Sequence, residues 1–179
     1  SERSRGLGDV YKRQPPIWIG GDVISAVKRA AKLGCPWIIP PTMAFNDIAI
    51  RINAYEQTIK TLGNEKVKGQ PLIRELAIGR TKQEAFEVAR KPLLAKYESY
   101  ATWGQTDTKK ERTLSDTFEE FCRDRFIIGD EQEVVDEILK YKESFGVDDL
   151  LVRVQWPGLG QGEVLKTLDH LGKIIATIS

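Results

Sequence analysis

Leu72-Ile73-Arg74-Glu75-Leu76-Ala77-Ile78, followed by Gly79 and the segment Thr81 to Ala89, decides the class of this chain. Apolar residues dominate the first stretch, which holds neither glycine nor proline, as in a buried strand. Gly79 ends it. Thr81 and Glu84 then stand at the spacing with which a hydroxyl and a carboxylate close off a helix start. Ala85, Val88 and Ala89 supply the apolar side of the helix that follows. A strand that runs straight into a helix is one β–α unit.

The same unit recurs on both sides. Upstream, Ile17-Trp18-Ile19 is a short apolar run ending in Gly20-Gly21. Asp22 is then expected to cap a helix with Val23, Val27, Ala30 and Ala31 inside and Gly34 as its stop. Pro36-Trp37-Ile38-Ile39 reads as a second strand, closed by Pro40-Pro41. Asn46 or Asp47 opens a helix whose stripe is Ile48, Ile52, Tyr55, Ile59 and Leu62, with Gly63 beyond it. Downstream, Asp130 and Glu133 repeat the capping spacing before Val134, Val135, Ile138 and Leu139, and Gly146 follows. Leu150 to Val154 is the fourth strand. Val164, Leu165, Leu168, Leu171 and Ile175 are expected to form the inner stripe of the last helix. Strict alternation predicts an α/β fold with a parallel sheet and right-handed crossovers. The long departure is Pro92 to Arg125. Here Pro92 should break the helix, a second piece should run from Leu94 to Tyr100, and a polar loop from Thr102 to Arg112 should precede a short helix over Thr117 to Asp124.

Composition narrows the function classes. Of 179 residues, 27 are Lys or Arg and 26 are Asp or Glu, a balance that argues against electrostatic binding to nucleic acid or to a membrane surface. No apolar run reaches the ~20 residues of a membrane span. Two cysteines and one histidine cannot build a zinc cluster, so no metal is expected, and the composition suits a cytoplasmic protein. Residues 1–14 lack periodicity and stop where patterned sequence begins, so they are read as a non-native tail. Residues 15–179 carry the fold.

In parallel α/β proteins, ligands sit where strands end and helices begin. Gly20, Gly21, Asp22 and Val23 could cradle a phosphate on backbone amides, or could simply make a tight turn. Gly158, Gly160 and Gly162 form a rival cradle before the last helix. Thr42, Gln155 and Trp156 also fall at strand ends. Arg74 and Glu75 sit side by side in an apolar strand, so one must face an interior or a pocket, where Arg74 would need an ion pair or a ligand. His170 is expected at the surface, and Cys35 and Cys122 read as structural. Walker, nucleophile-elbow and Rossmann fingerprints are absent.

Four segments in order carry a resemblance. Pro15-Pro16-Ile17-Trp18-Ile19-Gly20-Gly21 with Ala30-Ala31-Lys32-Leu33-Gly34 resembles the fifth strand and helix of the bacterial luciferase-like flavin-dependent monooxygenases. Arg74-Glu75 leading to Thr81, Glu84 and Ala85 is similar to their seventh strand and its helix. Arg125-Phe126-Ile127-Ile128-Gly129 resembles the segment before their last strand, and Val152-Arg153-Val154-Gln155-Trp156-Pro157-Gly158 their eighth strand and loop. The resemblance implies the C-terminal half, strands 5–8, of a (β/α)8 TIM barrel with a helical insertion between its last two strands. It implies reduced FMN as cofactor, or a deazaflavin coenzyme in sister branches, with O2 and a small organic substrate as reactants. A separate flavin reductase and a homo-oligomeric full-length enzyme are further implications.

By the same likeness, Gly20 to Val23 hold the flavin phosphate. Because neither Asp22 nor Val23 is a serine or threonine, amides or arginines outside this chain must supply the grip. The Pro92–Arg125 segment matches an insertion that closes over the active site. Catalytic residues are expected on the strands this chain lacks. Deazaflavin hydride transfer on the same barrel, a non-catalytic flavin-binding relative and a complete flavodoxin-like domain remain as alternatives. A barrel takes about 250 residues, so this chain is expected to be half of one and inactive alone.

Overall fold

The computed structural model describes residues 15, 17–64, 67, 69–102 and 114–178. The expected tail at 1–14 and nearly all of the expected polar loop at 102–112 lie outside the described residues. Helix α1 spans Ile24–Lys32 and α2 Phe45–Leu62; strand β1, Leu72–Ile78, follows. Helices α3 (Lys82–Thr102) and α4 (Leu114–Arg123) precede β2 (Ile127–Gly129), α5 (Glu131–Phe145), β3 (Leu150–Arg153) and α6 (Gln161–Ile178).

The sheet is parallel, in the order β2-β1-β3. Successive amides of a strand point to opposite edges. Leu72 donates to Asp149 on one edge, whereas Ile73 donates to Ile39 and Gly79 to Gly129 on the other. β2 therefore continues along the edge that Ile39 begins. The first two expected strands are reduced to single parallel bridges, Ile19 with Trp37 and Ile39 with Leu72. Pro36, Pro40 and Pro41 flank the second of them and cannot donate to a ladder, which keeps it short. Strand β2, absent from the sequence reading, is three residues long and shows no alternation that could have announced it.

The two faces of β1 meet different helices. Leu72, Leu76 and Ile78 join a core with α1, α2 and α5, to which Ile174 of α6 also contributes. Ala77 joins a second core built from Ala85, Ala89, Leu93 and Tyr97 of α3, Phe118 and Cys122 of α4, and Trp156. Burial pushes the Cys122 thiol well above its ordinary range, as suits an inert structural residue.

Several local expectations need correction. Pro92 does not break α3, which runs unbroken through it with the proline ring buried beside Ala89 and Leu93. One lost backbone bond is outweighed by a stripe repeating every four residues. Asp22 does not cap α1; Val23 takes that position without any side-chain bond. Helix α2 begins at Phe45, ahead of Asn46. On α6 the inner residues include Thr167 and Ile174, while Leu165, Leu168 and Ile175 are exposed. That helix is apolar on two sides, and period alone does not choose between them. The Asp130–Glu133 box forms in both directions, at 2.9 and 3.1 Å. Gly63 and Gly146 close α2 and α5 in the left-handed conformation. No helix among the described residues is long and apolar enough to cross a membrane.

Candidate functional site

The loop between the Ile19 bridge and α1 is held by two side-chain hydrogen bonds. Trp37 donates its indole N–H to the Gly21 carbonyl at 2.7 Å, and Arg51 of α2 donates through Nε to the Asp22 carbonyl. Gly21 has φ +137°, and a Cβ there would lie 2.5 Å from that of Ala26, so only glycine lets α1 start this close. With no side-chain cap on α1, its first amides remain available to an oxyanion. Arg51, which also bonds the Asp47 carbonyl at 3.1 Å, brings a cation to the same loop. The structure thus places beside the loop an arginine from within the chain. Sequence reading missed Arg51 because a lone arginine on an amphipathic helix looks like any solvated side chain.

Arg74 reaches the turn that carries Thr42, at the neighbouring strand end. Arg74 is fully buried, and its guanidinium donates to the carbonyls of Pro40 (3.0 Å), Met43 (3.1 Å) and Ile73 (3.0 Å) and to the Tyr141 hydroxyl (3.1 Å). Its Cζ stacks 4.8 Å from the Tyr141 ring centroid. Among the described residues no carboxylate pairs with it, so the expected ion pair is replaced by carbonyls and a ring. Burial lowers its pKa, with Tyr141 opposing the shift. Arg125 donates to the Thr42 carbonyl at 2.8 Å. Two arginines therefore brace the Pro40–Met43 turn.

Glu75, on the other face, organises a buried cluster. Its Oε1 accepts from Lys96 at 2.8 Å, from the Tyr97 hydroxyl at 2.8 Å and from Arg153 Nη2, while Oε2 accepts from Trp156 Nε1. Burial, and after it the Glu75 charge, raises the Tyr97 pKa and keeps the phenol neutral. Trp156 then walls a cavity of about 300 Å³ floored by Ala77, Ile78 and Leu159, with Arg80, Lys166 and His170 among its lining residues. His170 is part-exposed at the surface, in line with expectation, and its Nδ1 lies 2.6 Å from Glu131. Gln155 is exposed, and its side-chain amide donates to the Trp156 carbonyl at 3.5 Å. Gly158, Gly160 and Gly162, the rival cradle, have open space among the described residues where a Cβ would stand, and of the three only Gly158, at φ +83°, has a backbone that calls for glycine.

A family model described as luciferase-like monooxygenase matches residues 3–149. The chain belongs to that family. A search of curated proteins returns no match for it. Solved structures show the same fold for this luciferase-like chain at low identity. The monooxygenase RslO1 from Streptomyces bottropensis superposes with a TM-score of 0.72 at 14% identity, covering 92% of this chain and 48% of its own. The oxygenating constituent of 3,6-diketocamphane monooxygenase from Pseudomonas putida, solved with FMN, gives 0.67 at 15% identity, covering 92% and 49%. The coenzyme F420 dependent tetrahydromethanopterin reductase from Methanopyrus kandleri gives 0.62 at 16%, covering 92% and 51%. The luciferase-like chain thus spans about half the length of each of these three.

One face of its sheet bears on that proportion. Strand alternation and the parallel register put Ile73 and Leu151 on the face that carries Glu75 and Arg153. Trp18 and Ile38, next to the bridge residues, fall on the same side. All four are incompletely buried, with Leu151 36% exposed. The opposite face is covered by helices along its length. An apolar band remains open below the part that α3 and α4 cover.

Proposed function

We propose that this chain is the C-terminal half, strands 5–8, of a (β/α)8 barrel in a flavin-dependent monooxygenase that uses reduced FMN and O2 to oxygenate an organic substrate. Residues 15–179 form the barrel portion. The open apolar band of Trp18, Ile38, Ile73 and Leu151 supports the half-barrel reading, because inward side chains of a barrel are packed by those of the opposite strands.

The observation that carries the cofactor reading is the loop from Gly20 to Val23. Free helix amides, a glycine that no other residue could replace without strain, and Arg51 alongside make a place that fits a phosphate. The exposed Asp22 carboxylate does not occupy the helix start, so it leaves that place open. Bound reduced flavin would supply the electrons for oxygen activation. This chain's own residues hold its phosphate end, brace the adjacent turn through Arg74 and Arg125, and set the Trp156 wall through Glu75.

The test uses the protein encoded by the complete reading frame. FMN should bind about tenfold or more tightly than riboflavin, which lacks the phosphate. Gly21→Ala and Arg51→Ala should erase most of that preference, and reduced FMN should drive O2 uptake. Equal binding of FMN and riboflavin would remove the phosphate assignment. The likeness to the coenzyme F420 dependent reductase favours a second reading, hydride transfer by a deazaflavin on the same barrel. Turnover of the reduced deazaflavin without O2 consumption would select it. Failure to bind either cofactor would leave a non-catalytic relative.

A further inference from the structure

We infer that the organic substrate of this site carries an anionic head group, a carboxylate or similar oxyanion, and that Arg153 binds it. The inference rests on the barrel reading above and adds the substrate's charge. Charge balance motivates it. Among the described residues Glu75, fully buried, is the one carboxylate bonded to both Lys96 and Arg153. One negative and two positive charges leave the cluster at +1, and Tyr97 and Trp156 add only neutral donors.

The surplus sits on Arg153. The Lys96 ammonium is nearly enclosed, with 11% of its side chain exposed, and it lies over the rings of Tyr97 and Tyr100 as well as on Glu75. The Arg153 side chain is 34% exposed, and among the described residues Nη2 alone is engaged, on Glu75 and more weakly on Tyr97. Its Nε is buried and has no hydrogen-bond partner among the described residues. A buried donor without an acceptor is uncommon and costly, and it is tolerated where a ligand completes it. Among the described residues this guanidinium is held by one nitrogen, and its planar fork matches the two oxygens of a carboxylate.

Position agrees with chemistry. Arg153 is the last residue of β3, and its register partner Glu75 fixes it on the face that carries the open band. The carboxyl ends of strands are where barrels bind their ligands. The Gly20–Val23 loop lies at the end of a different strand, so a flavin phosphate there would leave Arg153 free for the substrate.

The experiment compares neutral and anionic probes on the complete protein by calorimetric titration: acetate, benzoate and decanoate against ethanol, benzyl alcohol and decanol. At least one carboxylate should bind more tightly than its alcohol, and its affinity should fall as salt rises. Arg153→Gln should weaken that carboxylate about 10- to 100-fold while leaving the alcohols and FMN unchanged. Arg153→Lys, which keeps the charge without the fork, should fall between. If no carboxylate outbinds its alcohol in the unmodified protein, the inference is wrong, whatever the variants do. It is equally wrong if an acidic residue of the opposite strands already holds Arg153, in which case Arg153→Gln lowers the melting temperature without changing the carboxylate-to-alcohol ratio. If Arg153→Gln instead narrows the FMN-to-riboflavin ratio, the oxyanion is the flavin phosphate and the substrate assignment falls. Absence of FMN binding altogether would overturn the flavin reading separately.

Discussion

Arg74 and Glu75 are neighbours in one strand, equally buried, and solve the problem of a buried charge in opposite ways. Arg74 turns toward α2 and α5 and satisfies its donors with three carbonyls and a tyrosine hydroxyl, without a counter-charge. Glu75 turns toward α3 and gathers two cations, a phenol and an indole onto two oxygens. The Arg74 side is a brace that holds one turn. The Glu75 side joins β1, β3, α3 and the Trp156 loop through a single group. Removing the anion should therefore strand several donors at once, whereas removing the Arg74 cation relieves its own desolvation as it frees its acceptors.

The largest expected effect is from Glu75→Ala. It should cost about 3–5 kcal/mol, the range for breaking a buried ion pair from one side, measured by equilibrium denaturation of the complete protein. Next comes Trp156→Phe, which keeps a ring but removes the donor to a carboxylate. A loss of about 2 kcal/mol is expected, with reshaping of the cavity visible as weaker ligand binding. Arg74→Met should cost about 1 kcal/mol, since a similar stem fills the site and no carboxylate is left unpaired. If Arg74→Met proves as damaging as Glu75→Ala, the contrast between the two sides of β1 collapses.

The smallest effect concerns the exposed pair Arg80–Glu84. Hydrogen bonding from Arg80 holds the Glu84 carboxyl below its usual range. A depressed carboxylate adds stability above its unfolded pKa, about 4.3, and loses it as pH falls through the lower folded value. Melting curves of the wild type and Arg80→Ala should therefore differ slightly near neutral pH and converge in acid. A gap that widens in acid would contradict the assignment.

Much of the fold was legible because its signals are local. The Asp130–Glu133 box, the glycine stops at Gly63 and Gly146 and the apolar run of β1 each depend on a few adjacent residues. The family resemblance likewise rested on short ordered segments. Misreadings occurred where two local choices were nearly equal in energy. Asp22 had the right chemistry for a cap, yet the chain enters α1 one residue later through Val23. Pro92 carried a breaker's signature, yet burial of Ala85, Ala89, Leu93 and Tyr97 kept α3 continuous. On α6, Leu165 and Thr167 could each have faced inward, and packing chose Thr167. At the candidate site, Gly20 to Asp22 precede the helix as read, whereas Val23, expected on its inner face, is an exposed N-cap. Arg51 was invisible because 28 residues separate it from the carbonyl it meets.

The sequence by itself determined that strands alternate with helices, that the sheet is parallel, and that loops would follow Ile19, Ile39, Ile78 and Val154. Period, caps and turn residues are short-range properties, and a chain read in order displays them. Only the tertiary structure decided which of Arg74 and Glu75 would face cations and which would face carbonyls. It alone brought Arg51 to the Gly21 loop and left Arg153 with a donor to spare. Those outcomes depend on which surfaces meet across β1, and in a buried, low-dielectric setting the meeting of surfaces sets the worth of every charge.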